Sequence, residues 1–255
     1  MPTLFSRFRG SLRGRAQLAT VFPDAIAPLY RQVEQAVLSH TGALERLELG
    51  AIALPDPPEV VLAALLPLIL YSHELPIAQQ TALSTLSQHW PQPWPKLLQG
   101  WSAALRLIVS GGVLDAQQLA QAADQPQIVD WLTQGYSLGD IITSQLDRSG
   151  SPDLTVALYC FCATPEAPNL ILNRAAQYSP TAAALALILT GAHHGESPLP
   201  LPPGSPADCT FATQLWNHWS GAYLPPAHAS PMTQIGAAHT LQPRPRRTLI
   251  SLVGQ

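Results

Sequence analysis

Asn173 to Gly195, NRAAQYSPTAAALALILTGAHHG, is the stretch whose reading decides the fold. Ser179 is a good N-cap residue, and Pro180 suits the first helical position because its missing N–H would have no intrahelical partner there. A helix is expected to begin at that point. From Thr181 to Ala192 no side chain is charged, and the small residues permit close approach on all sides, as in a central helix enclosed by others. Such a run is too short to span a bilayer, which takes about 20 apolar residues.

The flanking sequence extends the helical pattern in both directions. Upstream, Ser151-Pro152 and Thr164-Pro165-Glu166 pair a capping residue with a proline, predicting helices over 154–163 and 167–176. Asp115 to Gln118 and Ser137-x-x-Asp140 have capping-box spacing, and Gln125-Pro126 opens a helix that Gly135 closes. Leu97, Leu98, Trp101, Ala104, Leu105 and Ile108 recur at helical spacing before Gly111-Gly112. Trp90 and Trp94, among prolines, either cap the helical core or form a shelf for a peptide. The apolar run 59–73 contains Pro67, which predicts a kink or break, and 25–39 reads as an amphipathic helix with Leu29, Tyr30 and Val33 inside. Downstream, GESPLPLPPGSP is a connection, and 207–223 is one last helix with Phe211, Leu215, Trp216 and Trp219 on a face. The expected fold is an all-α, compact multi-helix bundle over 1–200, an additional helix packed on it over 201–223, and a Pro-rich basic tail over 224–255, extended or partly disordered.

Composition bounds the function. The chain has 255 residues, 47% hydrophobic but only 11% charged, well under the usual quarter. That is enough for one large domain with a sizeable core. All 16 acidic residues lie between Asp24 and Asp208, whereas seven of the 13 basic ones sit at the ends. Six basic against 16 acidic residues leave the middle at −10. Arg7, Arg9, Arg13 and Arg15 are expected to be a basic first helix, with an anion-binding arm as the other reading. The N-terminus is also Arg-rich and acid-poor, like a transit peptide, but it is read as structure, and no secretory signal is expected.

Three cysteines make no disulfide framework, so a reducing, cytoplasmic location is expected, with Cys160 and Cys162 as core thiols. His193-His194 is the obvious metal candidate, but helical neighbours diverge by about 100°, and the pair is not expected to share an ion. The remaining acids look isolated, whereas a dinuclear hydrolase needs several converging carboxylates. At the C-terminus Arg244, Arg246 and Arg247 precede Leu249, Ile250, Leu252 and Val253. These are the candidate partner-binding residues, through strand addition or an apolar plug, with packing back onto the chain's own domain as the other reading.

Two of these stretches carry a family resemblance. Gly191, Ala192 and Gly195 match the Gly-Ala-x-x-Gly ending of the C-terminal helix in the ADP-ribosylglycohydrolase family, and Arg7-Phe8-Arg9-Gly10-Ser11-Leu12, with Gly14, resembles the family's first helix. The resemblance covers roughly residues 5–200 and implies that fold. In register, Thr181 falls on the final Thr of the family's Gly-Gly-Asp-Thr-Asp-Thr loop. Tyr178 and Pro180, however, stand where the family has metal-binding Asp, and the family's Thr-Asp-Asp-Thr motif has no counterpart. Leu18, Ala19 and Phe22 likewise interrupt the Gly-Asp element of the first helix. The resemblance therefore implies a pseudoenzyme that has lost the family's Mg or Mn, with no catalytic, cofactor-binding or metal residues, acting as a protein-binding scaffold or accessory factor. The alternative is a hydrolase or binder of ADP-ribosylated substrates with altered metal dependence. ADP-ribose and nucleic acid are not the expected ligands, and no integral membrane segment is expected.

Overall fold

The computed structural model describes residues 2–39, 55, 57–112, 114–144, 150–196 and 206–221. These contain thirteen helices and, among the described residues, no strand. The helices are α1 (Leu4–Val21), α2 (Pro23–Ser39), α3 (Val60–Ala64), α4 (Leu66–Tyr71), α5 (Pro76–Ser87), α6 (Trp94–Ser110) and α7 (Ala116–Ala122). They continue as α8 (Gln127–Gln134), α9 (Leu138–Ser144), α10 (Pro152–Ala163), α11 (Pro168–Tyr178), α12 (Pro180–His194) and α13 (Pro206–Ser220). Among the described residues no helix is long and apolar enough to cross a membrane. The all-α expectation holds.

α12 is the axis of the bundle. Every residue from Ala184 to Ala192 is buried, and the helix packs on α1, α10, α11 and α6. Thr190 fits this setting because its hydroxyl donates to the Ala186 carbonyl at 2.7 Å, which satisfies a polar group that would otherwise be stranded. Among the described helices the α1–α12 interface is the most extensive. Gly10 and Gly14 make it possible. A Cβ on Gly10 would lie 2.6 Å from the Gly191 carbonyl oxygen, and one on Gly14 would lie 2.5 Å from the Ile188 nitrogen. The two backbones therefore meet directly, with glycine supplying the space.

The middle segment breaks where Pro67 predicts. α3 ends at Ala64, Leu65 takes φ −81° and ψ −2°, and α4 restarts with Pro67 in its first turn. All of residues 60–70 are buried, and Trp101 ties α6 to the segment by donating to the Leu62 carbonyl at 3.1 Å. Gly111 at φ 78° and Gly135 at φ 71° terminate α6 and α8 in the left-handed conformation that glycine favours.

One boundary differs from expectation. Thr164-Pro165-Glu166 does not open a helix; Thr164 is the C-cap of α10, and α11 begins at Pro168 and runs on to Tyr178. Both prolines could occupy a first helical position, and Pro168 does so because residues 164–167 form the turn that reverses the chain from α10 to α11.

α13 covers the bundle next to α1, α2 and α4. Trp216 meets Phe5 at 5.3 Å and Phe8 at 5.5 Å between ring centroids, and Trp219 meets His73 at 5.2 Å. Leu215 is fully buried, so the expected apolar face is the packed one. The tail over 224–255, with Arg244, Arg246, Arg247, Leu249, Ile250, Leu252 and Val253, lies outside the described residues.

Candidate functional site

The N-terminal end of α12 holds the positions where the family resemblance would place metal ligands. Ser179 has the extended backbone of an N-cap, and its hydroxyl accepts from the Ala182 N–H at 2.9 Å. The same hydroxyl donates to Asp153 in the first turn of α10. Ser151, the N-cap of α10, repeats the device: it accepts from the Leu154 N–H at 3.4 Å and donates to the buried Glu59 at 2.9 Å. Pro180 is exposed and Thr181 is buried. Tyr178 is half-buried, and its phenol pKa is raised by burial first and then by Asp153 and Glu59.

Two of the acids that look isolated in the sequence are thus each engaged by the hydroxyl of a helix cap, Asp153 by Ser179 and Glu59 by Ser151. Sequence reasoning missed them because Glu59 and Ser151 are 92 residues apart, and nothing local to either announces a partner. The only trace was a Ser-Pro cap followed by an acid, which reads as an ordinary helix start. Chemically the arrangement stabilises helix N-termini, since negative charge there faces the positive end of the dipole. Comparison with protein-family models, with curated proteins and with solved structures finds no match to this chain.

A second cluster lies at the other end of α12. His193 Nε2 stands 3.4 Å from Glu166 Oε1, and the His193 and His194 rings are 4.5 Å apart between centroids. One ligand atom from each of Glu166, His193 and His194 falls within 4.8 Å of the others. At the helix end both imidazoles reach the turn at 164–167, His193 through Glu166 and His194 through Pro165. His194 Nε2 lies 2.6 Å from the Pro165 carbonyl oxygen, and Phe161 meets the His193 ring edge to face at 5.9 Å. Burial lowers the pKa of His193, with Glu166 opposing, so the ring is neutral near pH 7.

The other candidates resolve as structure. Arg7 is buried and donates to the carbonyls of Ile108 and Val109 at 2.8 and 3.2 Å, placing a cation at the C-terminus of α6. Arg9 and Arg13 reach Glu196 at 3.0 and 2.5 Å, and Arg15 pairs with Glu34 at 2.5 Å while lying over the Tyr30 ring. The basic first helix is therefore engaged internally. Trp90 and Trp94 are buried, as core caps are. Cys160 and Cys162 are buried and free, with thiol pKa values pushed up to about 11 and about 12 by burial. A depression of about 1040 Å³ between α1, α5, α6 and α7 is lined by Arg7, His73, Glu74 and Arg106 among others, and does not include Tyr178, Pro180 or Thr181.

Proposed function

We propose that this chain is a helical scaffold of ADP-ribosylglycohydrolase type without hydrolase activity, which acts by binding a protein partner, with the Arg-bearing C-terminal segment as the contact. The observation that supports it is the use made of Glu59 and Asp153. Each accepts from the hydroxyl of a helix cap, and two carboxylates are fewer than a pair of hard cations needs. Their negative charge at the start of α12 also opposes a pyrophosphate there, even though a free helix N-terminus favours one.

Calorimetric titration of the full chain with Mg²⁺ and with ADP-ribose tests the loss of chemistry: neither should give saturable binding, and saturable binding of both would sink the proposal. Affinity purification of the full chain beside one ending at Tyr223 tests the contact. A stoichiometric partner retained only by the full chain is the expected result, and identical partner sets would count against the tail.

The rival reading, a hydrolase or binder with altered metal dependence, has one observation in its favour, the negative charge of Asp153 and Glu59 that, after burial, raises the Tyr178 pKa. It requires that an ADP-ribosylated substrate be cleaved or bound, and that Asp153→Asn abolish this.

A further inference from the structure

We propose that Glu166, His193 and His194 bind a divalent transition-metal ion of borderline softness, zinc in the first instance, at the C-terminal end of α12. The site is separate from the positions beside Ser179. α12 has 15 residues, so its two ends lie about 22 Å apart, and the proposal stands or falls independently of the pseudoenzyme reading.

Three observations carry it. The first is spacing. Two ligands bound to one zinc at about 2.1 Å each, at a tetrahedral angle, are about 3.4 Å apart, and His193 Nε2 and Glu166 Oε1 are separated by 3.4 Å. A ring nitrogen of His194 completes the group within 4.8 Å, and the Glu166 side chain, 83% exposed, is free to move by the remaining distance.

The second is orientation. His194 Nε2 lies 2.6 Å from the Pro165 carbonyl oxygen, which can only accept, so this nitrogen is the donor. Metal-binding histidines characteristically use one ring nitrogen in this way, which fixes the tautomer and leaves the lone pair on the other. His193 is held by the edge-to-face contact with Phe161. Neither ring has to be ordered by the ion itself.

The third is ligand type. Two imidazoles and one carboxylate suit zinc, cobalt or nickel and do not suit magnesium or calcium, which take oxygen. Three protein ligands leave a fourth position for water or for a side chain of a bound protein.

The test uses the full chain, stripped with a chelator and titrated calorimetrically with Zn²⁺. One ion per chain is expected. Glu166→Gln changes an exposed side chain and leaves the fold intact, while His193→Ala and His194→Ala remove the imidazoles. Each should weaken binding by about tenfold or more, with helical circular dichroism unchanged in the Glu166→Gln protein. His89→Ala, on an exposed histidine away from the cluster, should leave affinity as it is. Absence of saturable binding up to about 1 mM overturns the proposal. So does a Glu166→Gln protein, or a His193→Ala/His194→Ala protein, that binds as the unaltered chain does, since the ion would then sit elsewhere.

Discussion

Gly10 shows how much a single hydrogen atom in place of a methyl group can decide. Its missing Cβ is the space in which the Gly191 and Gly195 carbonyl oxygens sit, and backbone cannot step aside as a flexible side chain can. Gly10→Ala should destabilise the fold by about 1–3 kcal/mol through overpacking, read as a lower midpoint in urea. Gly139→Ala is the contrasting case. Its Cβ would meet only the Ser137 hydroxyl, at 3.7 Å, and should stabilise α9 by about 0.5–1 kcal/mol. Close approach was legible in the small residues between Thr181 and Ala192, whereas the atoms that fill the space at Gly10 were not. His73 gives a pH dependence. Burial lowers its pKa, opposed by the Leu70 carbonyl and Glu74, so as pH falls the unfolded chain takes up the proton first. The associated stability is present above about pH 6.5, the unfolded value, and is lost as pH falls through the lower folded value. Calorimetric melting between pH 7 and pH 5 should therefore show a smaller drop for His73→Phe than for the parent protein. An equal drop would mean that His73 does not contribute.

At the scale of the element, caps explain most of the boundaries. Ser137 and Asp140 form a reciprocal box, with the Ser137 N–H donating to Asp140 Oδ2 at 2.9 Å and the Asp140 N–H to Ser137 Oγ at 3.3 Å, as the spacing predicts. Asp115 caps α7 more simply, accepting from the Gln117 N–H at 3.0 Å. Ser179 does more than its local pattern implies, because it links the start of α12 to Asp153 on α10. Ser179→Ala should cost about 1–2 kcal/mol, at the upper end for an N-cap, and Asp153→Asn introduced into that variant should cost little more, since the bond is already gone. Chemical denaturation of the four proteins measures this, and additive losses would refute the link. The helix expected over 167–176 is α11, Pro168–Tyr178, but its cap is Ala167 rather than Thr164, because Thr164-Pro165-Glu166 and Pro168 are both acceptable helix starts. Which one is used depends on where α11 must lie to pack on α12.

For the molecule as a whole, α13 closes the bundle. Its half-buried Trp216 and Trp219 pack against Phe5, Phe8 and His73, and such aromatic pairs contribute about 0.5–1.5 kcal/mol each beyond the area they bury. A chain ending at residue 205 should melt at a markedly lower temperature and bind a hydrophobic dye, while one ending at Tyr223 should melt like the full chain. Equal melting of all three would show that α13 is dispensable. The charge distribution changes meaning at this scale too. The N-terminal arginines read in the sequence as a basic first helix or an anion-binding arm, and Arg7, Arg9, Arg13 and Arg15 all find carbonyl or carboxylate partners once α6, α2 and Glu196 are brought beside α1.

By itself the sequence determined that this is an all-helical chain, that α12 lies at its centre, where Pro67 interrupts the middle segment and which faces of α6 and α13 are buried. Those properties follow from spacing, capping and backbone restriction, which act over a few residues and are written locally. Tertiary structure alone decided which acids the cap hydroxyls of Ser151 and Ser179 bind, what the arginines bind, and that His193, His194 and Glu166 meet. Each of those depends on groups from different helices, and their distance is set by packing that no local pattern encodes.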